Sequence, residues 1–274
     1  MNTRLPKRKC RASLVSLFAL CPTLLSGAEI VSFPSGQLTL KGILYKPDGD
    51  GPFPAVLFNH GSGQDYGRQI EALGPVFTSR GWVFFAPYRR GQGLSASAGP
   101  YIVDQMNAAE KAGGTQARST TMVRLLETDH FEDQMAALVW LRKNPFVAGK
   151  HVAVAGNSFG GIQAMLGAER GSYCAAVNSA GAAQTWEASP DVQSLMLRSA
   201  RNSKVPVFFF QAENDWNLGP SRMLAAAMEK VGIVHEVEIY PAFGTTREEG
   251  HSFGYYGSSV WSHDVFQFLS EHCH

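Results

Sequence analysis

The stretch His151-Val152-Ala153-Val154-Ala155-Gly156-Asn157-Ser158-Phe159-Gly160-Gly161 decides the fold. Residues 151–155 read as a short strand covered on both faces, and residues 162–170 read as the helix that follows. Between them stands one serine with a glycine two residues to either side. A serine forced into a sharp strand-to-helix turn has crowded neighbours, so glycine is needed wherever a Cβ would clash. Gly156 and Gly160 meet that need. The helix directs its N-terminus at Ser158 and favours negative charge developing there.

The rest of the chain repeats this alternation. Residues 54–59, 82–87, 174–178, 205–211 and 234–240 are further near-continuous apolar runs, expected as strands buried on both faces. Residues 38–45, bounded by Gly36 and by Pro47-Asp48-Gly49, read as part of an opening antiparallel hairpin. Residues 129–143 carry a helical period, with Asp129 and Glu132 at capping-box spacing. Strands alternating with helices predict a doubly wound, parallel α/β sheet in one domain. Residues 95–128 break the rhythm. A structureless loop of that length is unusual inside a compact domain, so an insertion of short helices is expected after the strand at 82–87. It is either a specificity-setting cap at the ligand-binding edge of the sheet or a surface excursion.

Composition agrees with a globular chain. The 274 residues are 45% hydrophobic and 17% charged, which excludes disorder, collagen and coiled coil. A formal charge of +1 gives no excess that would attract nucleic acid or an anionic membrane. The N-terminus has its own character: Arg4, Lys7, Arg8, Lys9 and Arg11 precede an apolar run over residues 12–25, then Ser26-Gly27-Ala28. This is the pattern of a cleaved export signal over residues 1–28, since the run is too short to span a membrane and Pro22 interrupts it. Removing its five basic residues from the total of 24 leaves 19 against 23 acidic ones. Cys174 and Cys273 remain, free to pair in an oxidising compartment or to stay as thiols.

A serine hydroxyl is a weak nucleophile near neutral pH and needs a histidine to take its proton and a carboxylate to orient that histidine. Asp215 follows the apolar run at 205–211, and His251 lies in a glycine-flanked loop after the last run. Both fall at strand C-terminal ends, the edge at which Ser158 is exposed, in the chain order nucleophile, acid, histidine. Glu213 is the rival acid. His263 is the rival base, but it sits within a helical pattern over residues 260–269. His272 and His274 belong to an expected mobile tail. One oxyanion donor is expected at the backbone N–H of Phe159. The second falls in His60-Gly61-Ser62-Gly63, at Ser62 with Gly63 as its rival.

These residues also carry a family likeness. Asn59-His60-Gly61-Ser62, Arg89-Arg90-Gly91-Gln92-Gly93, Gly156-Asn157-Ser158-Phe159-Gly160-Gly161, Glu213-Asn214-Asp215 and Gly250-His251 together resemble the α/β-hydrolase superfamily, closest to its dienelactone hydrolase-like branch. The resemblance covers nearly the whole chain after residue 28. It implies the α/β-hydrolase fold: a mostly parallel, eight-stranded sheet with helices on both faces and a Ser158, Asp215, His251 triad. Dienelactone hydrolases proper carry cysteine at the elbow, so Ser158 shifts the expectation from lactones toward small carboxylic esters. The chain is also similar to the catalytic domain of prolyl oligopeptidase-like peptidases, without room for their propeller.

No cofactor or metal is expected. Gly91-Gln92-Gly93-Leu94-Ser95-Ala96 matches a dinucleotide pattern, but no acidic residue ends a following strand at the required distance, and Gly99-Pro100 blocks the long helix. Trp216, Phe253, Tyr255, Tyr256 and Trp261 are left as acyl-site or core aromatics. The expected partner is a small ester-like molecule. A catalytically silent binding protein on the same fold is the competing class, but it would have no use for elbow, triad and oxyanion loop together.

Overall fold

The apolar runs become the inner strands of a single sheet. A computed structural model describes Met1 and residues 27–273. Its strands are β1 (Glu29–Ser35), β2 (Leu38–Tyr45), β3 (Phe53–Asn59), β4 (Val83–Pro87), β5 (Val147–Asn157), β6 (Ala176–Ser179), β7 (Val207–Ala212) and β8 (His235–Tyr240). They lie in the order β1-β2-β4-β3-β5-β6-β7-β8. The β1–β2 and β2–β4 pairs are antiparallel and the rest parallel. The eight-stranded, mostly parallel sheet expected from the motifs is therefore present.

Successive side chains of the inner strands serve opposite cores, as the two-residue strand period requires. Leu57 and Phe209 enter one cluster, while Phe58, Phe208 and Phe210 enter the other. The first cluster is covered by α2 (Ile102–Glu127), α3 (Asp129–Arg142), α4 (Phe159–Arg170), α5 (Pro190–Arg201) and α6 (Gly219–Glu229). The second is covered by α1 (Gly67–Thr78) and α9 (Ser258–His272). Two short helices, α7 (Arg247–His251) and α8 (Phe253–Tyr256), fill the stretch between β8 and α9.

Strand order places the site. The chain runs outward from β3 to β4 and returns across β3 to β5, so the direction of winding reverses between β3 and β5. In such sheets the crevice beyond the strand C-termini at that reversal is where ligands bind. Asn59 at the end of β3 pairs in register with Gly156 of β5, which sets residues 60–63 directly beside Ser158.

Several expectations change. The run at 234–240 is an edge strand, β8, whose Glu236 and Glu238 face solvent between half-buried neighbours. A strand paired on one side only alternates and is not buried on both faces. Residues 95–128 are helical as expected: a 3-10 turn at Gly93–Ala98 is followed by α2, which Gly113 and Gly114 break into two shorter helices where they leave helical geometry. The capping box at Asp129 does not form. Thr128 takes the N-cap without a side-chain bond, and Asp129 pairs with Arg90 instead. His272 belongs to α9 and packs edge-on against Phe268, not in a loose tail. Cys174 and Cys273 form a disulfide with a Cα separation of 5.1 Å. The expected export signal, apart from Met1, Gly27 and Ala28, lies outside the described residues, as does His274.

Candidate active site

The elbow is built from backbone. Ser158 stands at φ 59°, ψ −119°, a strained conformation held between β5 and α4. Its N–H donates to the Ser179 carbonyl at 2.9 Å, and its own carbonyl accepts from Gly161 N at 2.9 Å. The flanking glycines are required by contact. A Cβ at Gly160 would lie 1.8 Å from the Asn59 carbonyl oxygen, and one at Gly156 would lie 2.1 Å from that of Gly160. Asn157 links this turn to its surroundings, accepting from Ser179 Oγ at 2.9 Å and donating to the His251 carbonyl at 3.4 Å.

Asp215 and His251 are brought together. The Asp215 carboxylate has no exposed side-chain surface and accepts from His251 Nδ1 at 2.8 Å, Gln211 Nε2 at 2.7 Å and the Trp216 N–H at 2.6 Å. A carboxylate in this position only accepts, so Nδ1 carries the proton and Nε2 presents its lone pair. That Nε2 is buried and bonded to nothing, so the Ser158 hydroxyl does not yet engage it. Contacts of this kind close in the substrate complex. The rival acid is excluded by place: Glu213 is exposed, its N–H tied to the Tyr240 carbonyl at 2.8 Å. His263 is exposed on α9. His251 is not in a loop but ends α7, a single turn fixed by the Thr246–Glu249 capping box. Asn214 joins the two loops, donating to the Phe243 carbonyl at 3.0 Å and the Thr246 carbonyl at 2.9 Å.

Residues 60–63 sit beside the elbow with two of their four amides engaged. Gly61 N–H donates to Tyr255 Oη and Gly63 N–H to Tyr66 Oη, each at 3.0 Å. In that run the N–H groups of His60 and Ser62 are without a partner, and of these Ser62 borders the cavity at Ser158; the Phe159 N–H in the first turn of α4 is likewise unused. Two unengaged amides in the crevice beside one serine can hold a developing oxyanion. Gly63, its amide already committed, drops out as Ser62's rival. A cavity of about 30 Å³ lies here, lined by Ser62, Ser158, Phe159, Met122 and Thr185 among others. It shares Met122, Gln184 and Thr185 with a neighbouring chamber of about 300 Å³ under α2, which also takes in Met106, Arg118 and Ser189. Arg118 in that chamber is matched by Glu110 at 3.1 Å. A wider groove of about 600 Å³ at Thr120, Arg124, Asp191 and Arg198 shares no residue with this site.

Several residues here escape sequence reasoning: Arg89, Gln92 and Tyr101 hold the carbonyls of residues 61–63. For the first two the one signal in the sequence is the Arg89-Arg90-Gly91-Gln92-Gly93 run, which carries family likeness but points to no role. Of the ambiguous aromatics, Phe253, Tyr255 and Trp261 are core, with Tyr255 also serving Gly61, while Trp216 and Tyr256 are largely exposed. Among the described residues no group of three or more His, Cys, Asp or Glu side chains could hold a metal ion, and no helix is long and apolar enough to cross a membrane.

Sheet order, elbow and crevice define an α/β hydrolase. Its family is narrower: the chain belongs to the dienelactone hydrolase family, whose model matches residues 40–272. Solved structures agree on the fold. The acylaminoacyl peptidase of Pyrococcus horikoshii is 18% identical, covering 90% of this chain and 41% of its own, with a TM-score of 0.65. An esterase of Pyrococcus furiosus is 16% identical, with coverage of 90% and 93% and a TM-score of 0.65. Dipeptidyl peptidase 4 of Porphyromonas gingivalis is 17% identical, with coverage of 90% and 36% and a TM-score of 0.64. The chain thus spans about two fifths of the length of the P. horikoshii peptidase. No curated protein matches it.

Proposed function

We propose that this hydrolase cleaves small carboxylic esters through an acyl-enzyme on Ser158. His251 Nε2 takes the proton of the Ser158 hydroxyl as Oγ attacks the ester carbonyl carbon. Asp215 keeps the imidazole in its Nδ1–H tautomer and stabilises the imidazolium that forms. The carbonyl oxygen, now negative, accepts from the N–H groups of Ser62 and Phe159. Collapse breaks the bond to the alkoxy group, and His251 returns the proton to the departing alcohol. Water, deprotonated by the same nitrogen, then releases the carboxylic acid and regenerates Ser158.

The observation that carries this reading is the Asp215–His251 pair, buried, with Nε2 unoccupied and the His251 carbonyl tied by Asn157 to the Ser158 turn. A binding protein has no need of such a pair. The chamber under α2 supports a neutral or weakly polar acyl or alcohol group, because its one cation is already matched by Glu110. Met122 on its wall makes α2 the cap that sets substrate size. The Cys174–Cys273 bond supports export into an oxidising compartment, with cleavage near residue 28.

A fluorophosphonate probe and a panel of esters, lactones, thioesters and peptide amides test the proposal. Wild type is expected to be labelled and to prefer esters, and Ser158→Ala to lose both labelling and turnover while keeping its fold. Normal labelling of the alanine variant overturns the nucleophile, and a preference for amides moves the activity to peptidase.

A further inference from the structure

We infer that Arg89 is a positioning residue for the oxyanion hole: its guanidinium grips the Gly61 carbonyl and thereby aims the Ser62 N–H at the reacting carbonyl oxygen. This rests on the ester-hydrolase reading and adds to it a residue that touches neither substrate nor reacting atoms.

The argument begins with the peptide bond. The carbonyl of Gly61 and the N–H of Ser62 belong to one planar trans unit and point in opposite directions, so fixing one fixes the other. Arg89 donates one terminal nitrogen to the Gly61 carbonyl. The same nitrogen lies 2.9 Å from His60 Nδ1. His60 Nδ1 stands 2.9 Å from the Gly61 carbonyl as well, so Arg89 and His60 meet at the same carbonyl. The other terminal nitrogen donates to Gln163 Oε1 on α4, the helix that begins at Phe159. Arg89 Nε donates to Gln92 Oε1 at 2.8 Å, and Gln92 Nε2 reaches the carbonyls of Ser62 at 3.2 Å and Gly63 at 2.5 Å. The guanidinium carbon stands 5.2 Å from the Phe159 ring centroid. One rigid, planar donor group therefore joins both halves of the oxyanion hole, the loop carrying Ser62 and the helix turn carrying Phe159.

Its electrostatics are those of a cation kept for direction. Arg89 is 3% exposed, and among the described residues no carboxylate pairs with it; nearby Asp133 is taken by Arg90 at 2.7 Å and Ser35 at 2.7 Å. Burial draws its pKa down to about 10, which leaves it charged at neutral pH. The adjacent His60 and His130 are pushed well below the ordinary imidazole range by burial and then by Arg89 itself, so Arg89 is the charge of this cluster. A buried guanidinium without a counter-ion costs stability, and a methionine would fill the same volume without that cost. What methionine cannot do is hold the Gly61–Ser62 peptide in one orientation. An oxyanion hole stabilises the transition state only when its donors are aligned beforehand.

The experiment compares wild type, Arg89→Met, Arg89→Lys and Ser158→Ala on a p-nitrophenyl ester and on a trifluoromethyl ketone, which forms an oxyanion on the serine, alongside its methyl ketone analogue, which scarcely does. Losing one oxyanion donor costs about 100- to 1000-fold in kcat, and a misdirected donor is expected to cost about 10- to 100-fold. Arg89→Met should therefore lower kcat by that factor with KM nearly unchanged. It should weaken the trifluoromethyl ketone in parallel and leave the methyl ketone alone, with Arg89→Lys recovering part of both. A role in folding alone would lower Tm without separating the two ketones. If Arg89→Met does not fold, Gln163→Met, which frees the other end of the guanidinium, is expected to show the same pattern at about 3- to 10-fold. A folded variant set with wild-type kcat and ketone discrimination overturns the role of Arg89 alone. Wild type without turnover or a Ser158 adduct overturns the hydrolase reading and this inference together.

Discussion

The two sides of the crevice are made in different ways. On the serine side, geometry comes from the main chain: β5, a strained turn and α4, with glycines where a Cβ would strike backbone at 1.8–2.1 Å. On the oxyanion side, residues 60–63 are held by side chains from elsewhere, with Tyr66, Arg89, Gln92, Tyr101 and Tyr255 each taking a backbone group. The first construction tolerates no substitution but needs no partners. The second is a set of separable contacts, each removable by itself. Changes on the serine side should therefore act all at once, and changes on the oxyanion side by degrees.

The sharpest test of that contrast is Gly160→Ala. With backbone as the obstacle, the turn cannot relax, and the variant is expected to lose more than about 4 kcal/mol of stability and to give little folded protein. Thermal unfolding checks this, and a well-folded alanine variant would break the comparison. Next in size is Asp215→Asn, expected to lower kcat about 10,000-fold, against less than about twofold for Glu213→Gln. Equal losses in steady-state kinetics would move the orienting role to Glu213.

How much of this could be read from sequence follows the same division. Ser158, Gly156 and Gly160 were legible because an elbow is local: a strand, a turn and a helix within twenty residues. Asp215 and His251 were legible from chain order and from the strand edge on which they fall. Arg89, Gln92 and Tyr101 were not, because a polar side chain reaching a loop about thirty to forty residues away leaves no periodicity in the chain. Ser62 was named ahead of Gly63 from the loop's glycines, but setting Gly63 aside needed the partners of its amide, which no spacing reveals. The edge position of β8 and the single break in α2 depend on which neighbours cover them, which again is a property of the assembled sheet.

Acid should loosen the side-chain-built side. His60 is held well below the ordinary imidazole range by burial first and then by Arg89, with the Gly61 carbonyl opposing; His130 is held there by burial, then Arg89 and Arg90. Both stay neutral in the folded protein, while the unfolded chain takes up protons below about pH 6.5. The unfolded state then binds more protons, so stability is full above that pH and falls as pH drops toward the folded-state values, by up to about 1.4 kcal/mol per pH unit for each histidine. Tm measured between pH 8 and 5 should be level at the top and decline below 6.5. His130→Leu should make the decline shallower, and an unchanged slope would remove His130 from the account.

Among the residues that hold the site, the smallest effect is expected from Tyr101→Phe. It removes a single 2.6 Å bond to the Ser62 carbonyl and leaves Gln92 in place. A loss of about 1 kcal/mol, or roughly fivefold in kcat, with Tm nearly unchanged, is the expected outcome in parallel kinetic and melting measurements. A loss as large as that of Asp215→Asn would mean that the oxyanion side is as indivisible as the elbow.

The Cys174–Cys273 bond divides the site in time as well as in space. Ser62 and Ser158 precede the ring that it closes, and Asp215, His251 and Tyr255 all lie within it. Under the proposed mechanism, a growing chain makes its nucleophile early and its base late. With β8, α7 and α9 not yet synthesised, Ser158 has no proton acceptor and Gly61 no Tyr255 to anchor it. On that reading the site stays silent until residues 235–272 have folded back across the sheet, and in an oxidising compartment Cys273 then seals the arrangement.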